Sequence, residues 1–384
     1  MRRLVVFCSV LVFVDVAFYA AIAPLLPDYV SEFGLSKAEA GILSASYAAG
    51  TLLSSLPAGW VATRLGPRRT VVIGLLLLAV ASAIFGAASE VGILDLARFC
   101  QGIAGALIWS GALVWLITST APERRGSVIG TALGTAVAGA LIGPALGALA
   151  AESSTEVVFG GVSVLAVVLA LIAVRLPEGG APEEQGLREV AATILSRPVI
   201  AATAFVAVPS LMFGAIEVFV PLRIDELGGG HALIAAGFIG GAALESLLSP
   251  LAGRYSDRVG RRIPYVTGMS ICAAAIAIVA VAQVLGFLMA GLIATSLGAG
   301  LCFAPALTIL SETADASHLH QGYAAGLANM SWAAGQVAGG LVGAAAAGVA
   351  GYAPPSFAIT GLLLLTAAYA HRAMTRGAEA PASA

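Results

Sequence analysis

Charge is what this sequence has least of. Only 10% of its 384 residues are Asp, Glu, Lys or Arg, where a soluble globular chain carries about 25%. Hydrophobic residues make up 59%, and the mean hydropathy is +0.97. So few charges cannot cover a water-facing surface, which excludes the soluble globular class and leaves an integral membrane protein. A net charge of −2 gives no basic footprint for nucleic acid. Lysine is nearly absent: Lys37 stands alone against eighteen arginines. No G-x-x-x-x-G-K-[ST] run surrounds it, so ATP drive is not expected. Cys8, Cys100, Cys272 and Cys302 lie in apolar runs, with no C-x-x-C and no His/Cys cluster. A disulfide framework and a metal site are therefore not expected. His231, His318, His320 and His371 fall in no motif and read as solvated loop residues. No Ser/His/Asp set sits at membrane depth, so an enzyme is not expected either.

Long apolar runs are what the chain does have. Met1-Arg2-Arg3 followed by an apolar stretch resembles a secretory signal, but the stretch is too long for a signal core and more spans follow, so it is read as the first transmembrane helix. Twelve stretches approach the roughly 20 residues that a bilayer requires: 4–27, 40–61, 70–89, 92–118, 127–150, 157–174, 199–222, 232–252, 264–283, 285–309, 322–349 and 354–371. With the N-terminus inside, sixteen arginines fall on the cytoplasmic side, and only Lys37 and Arg223 fall outside. That bias predicts two cytoplasmic termini. Residues 175–198 form the longest polar stretch, a flexible linker whose "LREVAATILSRP" reads as a short amphipathic helix. The expected organisation is a six-helix bundle over 1–174, the linker over 175–198, and a second six-helix bundle with a short tail over 199–384.

The two halves are related. "AGWVATRLGPRR" (58–69) aligns with "AGRYSDRVGRR" (252–262) at an offset of 194, with Pro67 as an extra residue. The same offset pairs Pro27 with Pro221 and Gly34 with Gly228, while Gly139, Gly143 and Gly147 pair with Gly335, Gly339 and Gly343 at 196. Two repeats of like orientation imply a pseudo-two-fold axis along the membrane normal, with a cavity at their interface.

Three motifs carry the functional argument. The repeated loop holds Gly59, Arg64, Gly66, Arg68 and Arg69 in the first half, and Gly253, Asp257, Arg258, Gly260, Arg261 and Arg262 in the second. Its glycines permit close approach and a tight turn. Its arginines can cap helix C-termini, and Asp257 can pair with them as a latch. Thr63 stands where the first copy would need an acid. In the fourth span, Arg98-x-x-Gln101-Gly102 places an arginine inside a membrane helix, where it faces an internal cavity or snorkels to the headgroups. The fifth span carries Gly130, Gly139, Gly143-Pro144 and Gly147. Such spacing gives a smooth face for helix contact, and Pro144 removes a backbone hydrogen bond and is expected to bend the helix.

The repeated loop resembles the signature loop of the major facilitator superfamily. The Arg98 motif resembles that superfamily's fourth-span motif, linked there to proton coupling. The fifth-span spacing resembles the antiporter motif of the drug:proton antiporters with twelve spans. The resemblance covers essentially the whole chain and implies an all-α membrane fold of two six-helix repeats.

Three acids lie well inside spans: Asp15, Glu217 and Glu245. A charged Asp at the bilayer centre costs about 2.5–3.5 kcal/mol on insertion scales. Such a group can exchange protons as its surroundings alternate between the two sides, and it can neutralise a cationic substrate. Asp15-x8-Pro24-x-x-Pro27 looks like the first span of antiporters close to the vesicular amine transporters, and Glu217-x3-Pro221 like their seventh. The resemblance therefore marks Asp15 and Glu217 as cation and proton sites. Phe303 and Asn329 stand where those transporters have further acids. Glu245 has no such counterpart, so a structural role stays open for it. Tyr19, Tyr47, Trp109, Trp115, Phe213, Asn329, Trp332 and Gln336 are candidates to line the cavity, with packing as the alternative.

The expected function is proton-driven export of small lipophilic, cationic compounds, without a cofactor. Export of a sugar, metabolite or self-made antibiotic, or a non-transporting sensor or scaffold, are the alternatives. The expected partners are the small-molecule substrate, protons and the lipid bilayer of the cell membrane, with a monomer as working unit and no nucleic acid.

Overall fold

The computed structural model describes residues 2–120, 125–179, 185–319 and 321–379. The side chains at Gly130 and Asp257 lie outside the described set, so the Asp257 latch and the first glycine of the fifth-span motif are placed only by their helical backbones.

Twelve helical rods match the twelve stretches in order. The first is α1 (Arg2–Ala20) with α2 (Ile22–Phe33). Proline explains this break: the Pro24 ring has no N–H and clashes with the carbonyl four residues back, at Ala20. Then come α3 (Lys37–Leu65), α4 (Pro67–Ala87), α5 (Val91–Ser119), α6 (Arg125–Glu152) and α7 (Thr155–Arg175). The predicted linker helix is α8 (Leu187–Ile194). The second half follows with α9 (Arg197–Glu226), α10 (His231–Val259), α11 (Arg262–Val281) and α12 (Leu285–Ala316). Its fifth rod is α13 (Gln321–Val337), a π-helical turn (Ala338–Gly343) and α14 (Ala344–Ala350), and its sixth is α15 (Ala353–Glu379). The helices run several residues past the apolar stretches because polar residues continue a helix into the headgroup layer.

Among the described residues, eleven helices are long and apolar enough to cross a bilayer. The exception, α3, has 29 residues but is rich in serine and threonine. It satisfies its hydroxyls internally: Ser46, Thr51, Ser54 and Ser55 each donate to the carbonyl four residues back. That is how a polar helix tolerates a dry environment.

Packing repeats between the halves. In the first, α1 lies on α6, α3 and α4 on α5, and α4 on α7; in the second, α9 lies on α13, α10 and α11 on α12, and α11 on α15. The halves meet through α3 with α13 and α6 with α10. The glycine faces explain the first contact of each set. A methyl group at Gly139, Gly143 or Gly147 would collide with the carbonyl oxygens of Phe13, Ala17 and Ala21; at Gly335 or Gly339 it would collide with those of Ala207 and Leu211. Phe13 and Ala17 stand 194 residues before Ala207 and Leu211, so the repeat extends to the residues that each glycine touches. The helix α6 continues through Pro144.

The repeated loops also correspond in backbone angles and contacts, and they correct one expectation. Gly66 and Gly260 adopt φ of 84° and 81°, a region only glycine enters without strain. Gly34 and Gly228 pair likewise at 64° and 79°. Arg68 donates to the carbonyls of Val174 (3.4 Å) and Leu176 (3.0 Å), capping α7, and it pairs with Glu178. Arg262, not Arg261, does the equivalent, donating to Thr375 Oγ1 on α15 at 2.8 Å. The next helix ends, capped by Ala88 and Ala282, also keep the offset of 194. Pro67 is therefore no extra residue: it occupies the position of Arg261, whose own partner is Glu312.

Candidate functional site

Asp15 leaves the apolar surface entirely. It is 3% exposed on α1 and accepts from Tyr47 Oη on α3 (2.9 Å) and Trp109 Nε1 on α5 (2.9 Å). Gly105 makes room for this pair, since a methyl group there would crowd Asp15 Oδ1 at 2.8 Å. Sequence reasoning passed over Gly105, although it continues the Arg98-x-x-Gln101-Gly102 series by three residues.

Arg98 does not snorkel. It is 0% exposed, and its guanidinium donates to the carbonyls of Phe18 (3.4 Å) and Tyr19 (3.3 Å) and to Gln101 Oε1 (3.1 Å). Gln101 is held in turn by donating to Ser82 Oγ at 3.2 Å. Arg98 also lies over the Tyr47 ring, 5.1 Å from its centroid. Its Nε has no partner, and it makes no ion pair among the described residues. A buried cation without an anion is costly, so carbonyl dipoles and a π face hold it where a helix interior would reject it. Gly102 allows α3 to come this close, its Cα facing the Tyr47 carbonyl.

The second half supplies the other acid. Glu217 on α9 accepts from Tyr19 Oη at 2.6 Å. Gln336 on α13 donates to the same hydroxyl at 2.6 Å and lies 3.5 Å from Glu217. Gln336 is 4% exposed, and its Oε1 has no partner among the described residues. The Tyr19 ring packs on Tyr47 (5.0 Å) and edge-on against Trp332 (5.1 Å). One connected cluster thus runs from Trp109 and Asp15 through Tyr47, Arg98 and Tyr19 to Glu217 and Gln336, crossing from one half to the other. The π-helical turn begins two residues after Gln336, and such turns recur at functional sites.

Several predicted residues fall elsewhere. Glu245 sits half-buried at the α10–α12 seam beside Gly300, with no hydrogen bond to the cluster among the described residues. Trp115 lines no central space: it is fully buried, packs on Phe7 and donates to the Pro177 carbonyl at 3.2 Å, which ties the linker to α5. Phe213 packs on Phe303 at 5.8 Å. Asn329 is half-buried on α13, one turn before Trp332, and among the described residues it makes no hydrogen bond to either acid. Thr63 donates to its own helix at the Trp60 carbonyl, where the second loop has an acid.

The sequence also gave no warning of the arginine-poor face. Lys37 and Arg223, the two basic residues assigned to that side, both reach Glu226, at 3.2 and 2.9 Å. Tyr352 donates to Glu226 at 2.8 Å and lies beneath Lys37. His231 is not a solvated loop residue: it opens α10, and its Nε2 lies 2.8 Å from Asp28 Oδ1. Both contacts join the first half to the second.

Two six-helix halves around a buried polar cluster define a polytopic membrane protein of the transporter type. The sequence profile of the Major Facilitator Superfamily matches residues 7–244 and 233–382, and the chain belongs to that superfamily. Among curated relatives, the MFS-type transporter ppzB of Metarhizium rileyi is 33% identical over 172 residues, 43% of this chain and 34% of that protein. The quinolone resistance protein NorA of Staphylococcus aureus is 28% identical over 104 residues, 27% of this chain and 26% of its own. Multidrug resistance protein 2 of Bacillus subtilis is 28% identical over 109 residues, 28% of this chain and 27% of its own. The aligned stretches thus span about a third or less of these relatives. In fold, the chain is similar to a bacterial homologue of the human lysosomal transporter Spinster, with a TM-score of 0.76 at 14% identity over 97% of both chains. It is also similar to the human organic anion transporter MFSD10, at 0.72 and 16% over 96% of this chain and 99% of that one.

Proposed function

We propose that this chain is a proton-coupled antiporter that exports small lipophilic cations by alternating access. The observation that carries the reading is the pair of intramembrane carboxylates, Asp15 from one half and Glu217 from the other, joined through Tyr47, Arg98 and Tyr19. Each acid is held by phenol or indole donors rather than by an opposite charge. A protonated acid keeps its place with one hydrogen bond rearranged, whereas an ionised one gains most from a cation. Proton and substrate cation therefore compete for the same oxygens. The Tyr19–Glu217 hydrogen bond crosses between halves, so parting the halves on one side must break it and expose Glu217. The aromatic rings of Tyr19, Tyr47, Trp109 and Trp332 offer faces to an apolar or cationic ligand. Transfer is driven by about 2.3 kcal/mol per charge per 100 mV, plus the pH gradient. The arginine-rich face is read as cytoplasmic, in the cell membrane, with a monomer as working unit. Two relatives named for quinolone and multidrug resistance agree with this substrate class.

The test is reconstitution in proteoliposomes with an imposed pH gradient and a fluorescent lipophilic cation. Uptake that collapses with a protonophore and releases protons in step with substrate supports the reading. Substrate movement indifferent to the gradient overturns the coupling, and failure of every lipophilic cation to compete overturns the substrate class.

A further inference from the structure

Two grooves open toward the lipid at the arginine-rich end of the molecule, and they are copies of each other. The first, of about 480 Å³, runs between α1 and α7. The second, of about 420 Å³, runs between α9 and α15. Arg3, Val6 and Val10 of the first stand 194 residues before Arg197, Ile200 and Ala204 of the second, and Leu169 stands 196 before Leu365. These are the two offsets that relate the halves throughout. Each groove has an aromatic floor, Phe7 or Phe205, both 6% exposed, and exposed aliphatic walls such as Val6 and Ile200. Each has arginine at its end: Arg2 and Arg3 in one, Arg197 in the other. These three arginines are exposed and have no hydrogen bond or ion pair among the described residues. Thr366, which lines the second groove together with Tyr369, already donates to the Leu362 carbonyl.

We propose that each groove binds one anionic glycerophospholipid, with an acyl chain along the apolar trough and the phosphate against the arginine. An apolar trough ending in an unneutralised guanidinium at headgroup depth matches a molecule that is apolar along its length and negative at one end. Basic pockets between transmembrane helices recognise anionic headgroups on this principle. A zwitterionic lipid presents the same phosphate, but with a cation that the arginine repels. Free phosphate would leave the trough unused. The sites lie outside the Asp15–Glu217 cluster and at the seams between the first and last rods of each bundle. They do not depend on the transport reading.

The test is native mass spectrometry of the purified full chain, exposed to phosphatidylglycerol or to phosphatidylcholine of the same acyl chains. Wild type is expected to retain up to two phosphatidylglycerol molecules at activation energies that strip phosphatidylcholine. Arg3→Gln with Arg197→Gln should lower that retention at least fivefold. Val10→Trp with Ala204→Trp should lower it likewise while keeping every arginine. Equal retention of the two lipids by wild type overturns the proposal, and needs no variant. Unchanged retention in the arginine pair, or in the groove-filling pair, also overturns it, the latter by reducing binding to headgroup charge alone. Gel filtration establishes that each variant tested is folded.

Discussion

Tyr19 on α1 and Glu217 on α9 lie 198 residues apart in sequence and share a hydrogen bond of 2.6 Å. With the Gln336 contact to the same hydroxyl, also 2.6 Å, it joins the two halves at the centre of the molecule. Hydrogen bonds to charged groups contribute about 1.5–3 kcal/mol. Tyr19→Phe keeps the ring against Tyr47 and Trp332 but removes this donor, leaving Glu217, among the described residues, with only the long contact to Gln336. A lower melting temperature and about tenfold slower coupled transport are expected. Wild-type values of both would show that the contact is incidental.

Replacing Asp15 by Asn preserves the size of the side chain and an acceptor for Tyr47 and Trp109. It removes the proton-binding group. Expression and gel-filtration behaviour should match wild type, while proton release on substrate addition should vanish. Transport at the wild-type rate with proton flux intact would contradict the role assigned to this residue.

The glycine faces predict a sharp contrast within one helix. A side chain at Gly143 meets the Ala17 carbonyl and Ala20 Cβ, which are backbone or rigid, whereas nothing lies within 4 Å of a methyl group at Gly134. Overpacking costs about 1–3 kcal/mol where a neighbour can shift, and more where it cannot. Gly143→Leu should abolish recovery of folded protein, and Gly134→Ala should leave it unchanged. The same loss is expected for Gly339→Leu, at the equivalent contact with Leu211. Comparable yields from Gly143→Leu and Gly134→Ala would refute the close packing of α6 on α1.

Gly66 and Gly260 pair φ of 84° and 81° with ψ of 156° and 160°, a region essentially closed to other residues at a cost of about 1–3 kcal/mol. Alanine at either position should lower thermal stability by that amount, and the two effects should be similar. A thermal melt reads both.

On the arginine-poor face, Glu226→Gln removes the ion pairs to Lys37 and Arg223. Of these two pairs the one to Lys37 joins the halves, and an exposed pair contributes about 0.2–1 kcal/mol, so the halves should part there up to about fivefold more often. Ala344, fully buried beside Gly41, reports this. A cysteine at that position should react faster with an impermeant maleimide in the Glu226→Gln background. An unchanged rate would mean that helix packing alone holds this face closed.

Much of this was legible in the sequence. Apolar runs marked the twelve rods because a bilayer imposes both length and composition on anything that crosses it. The offset of 194 anticipated which glycines turn and which helices touch, since a duplicated chain repeats its backbone constraints. Asp15, Arg98 and Glu217 stood out because charges are rare and expensive in such segments. The linker helix was legible from the single face that Leu187, Val190 and Ile194 share at helical spacing.

What remained hidden depended on partners far apart in the chain. The sequence could not separate a snorkelling Arg98 from a buried one, because the choice rests on carbonyls of α1 and the ring of Tyr47. Nor could it separate Trp109 from Trp115: both are tryptophans on α5, yet one reaches Asp15 and the other seals the linker. Glu245 carried the same cost as Glu217, and only packing placed it at a seam away from the cluster. Composition and periodicity determined the membrane fold, its repeat and its short list of costly residues, because those obey local rules of solvation and helix geometry. The tertiary structure alone decided which of these residues meet. Contacts across 198 residues are set by how two six-helix halves close on each other, and no local rule contains that information.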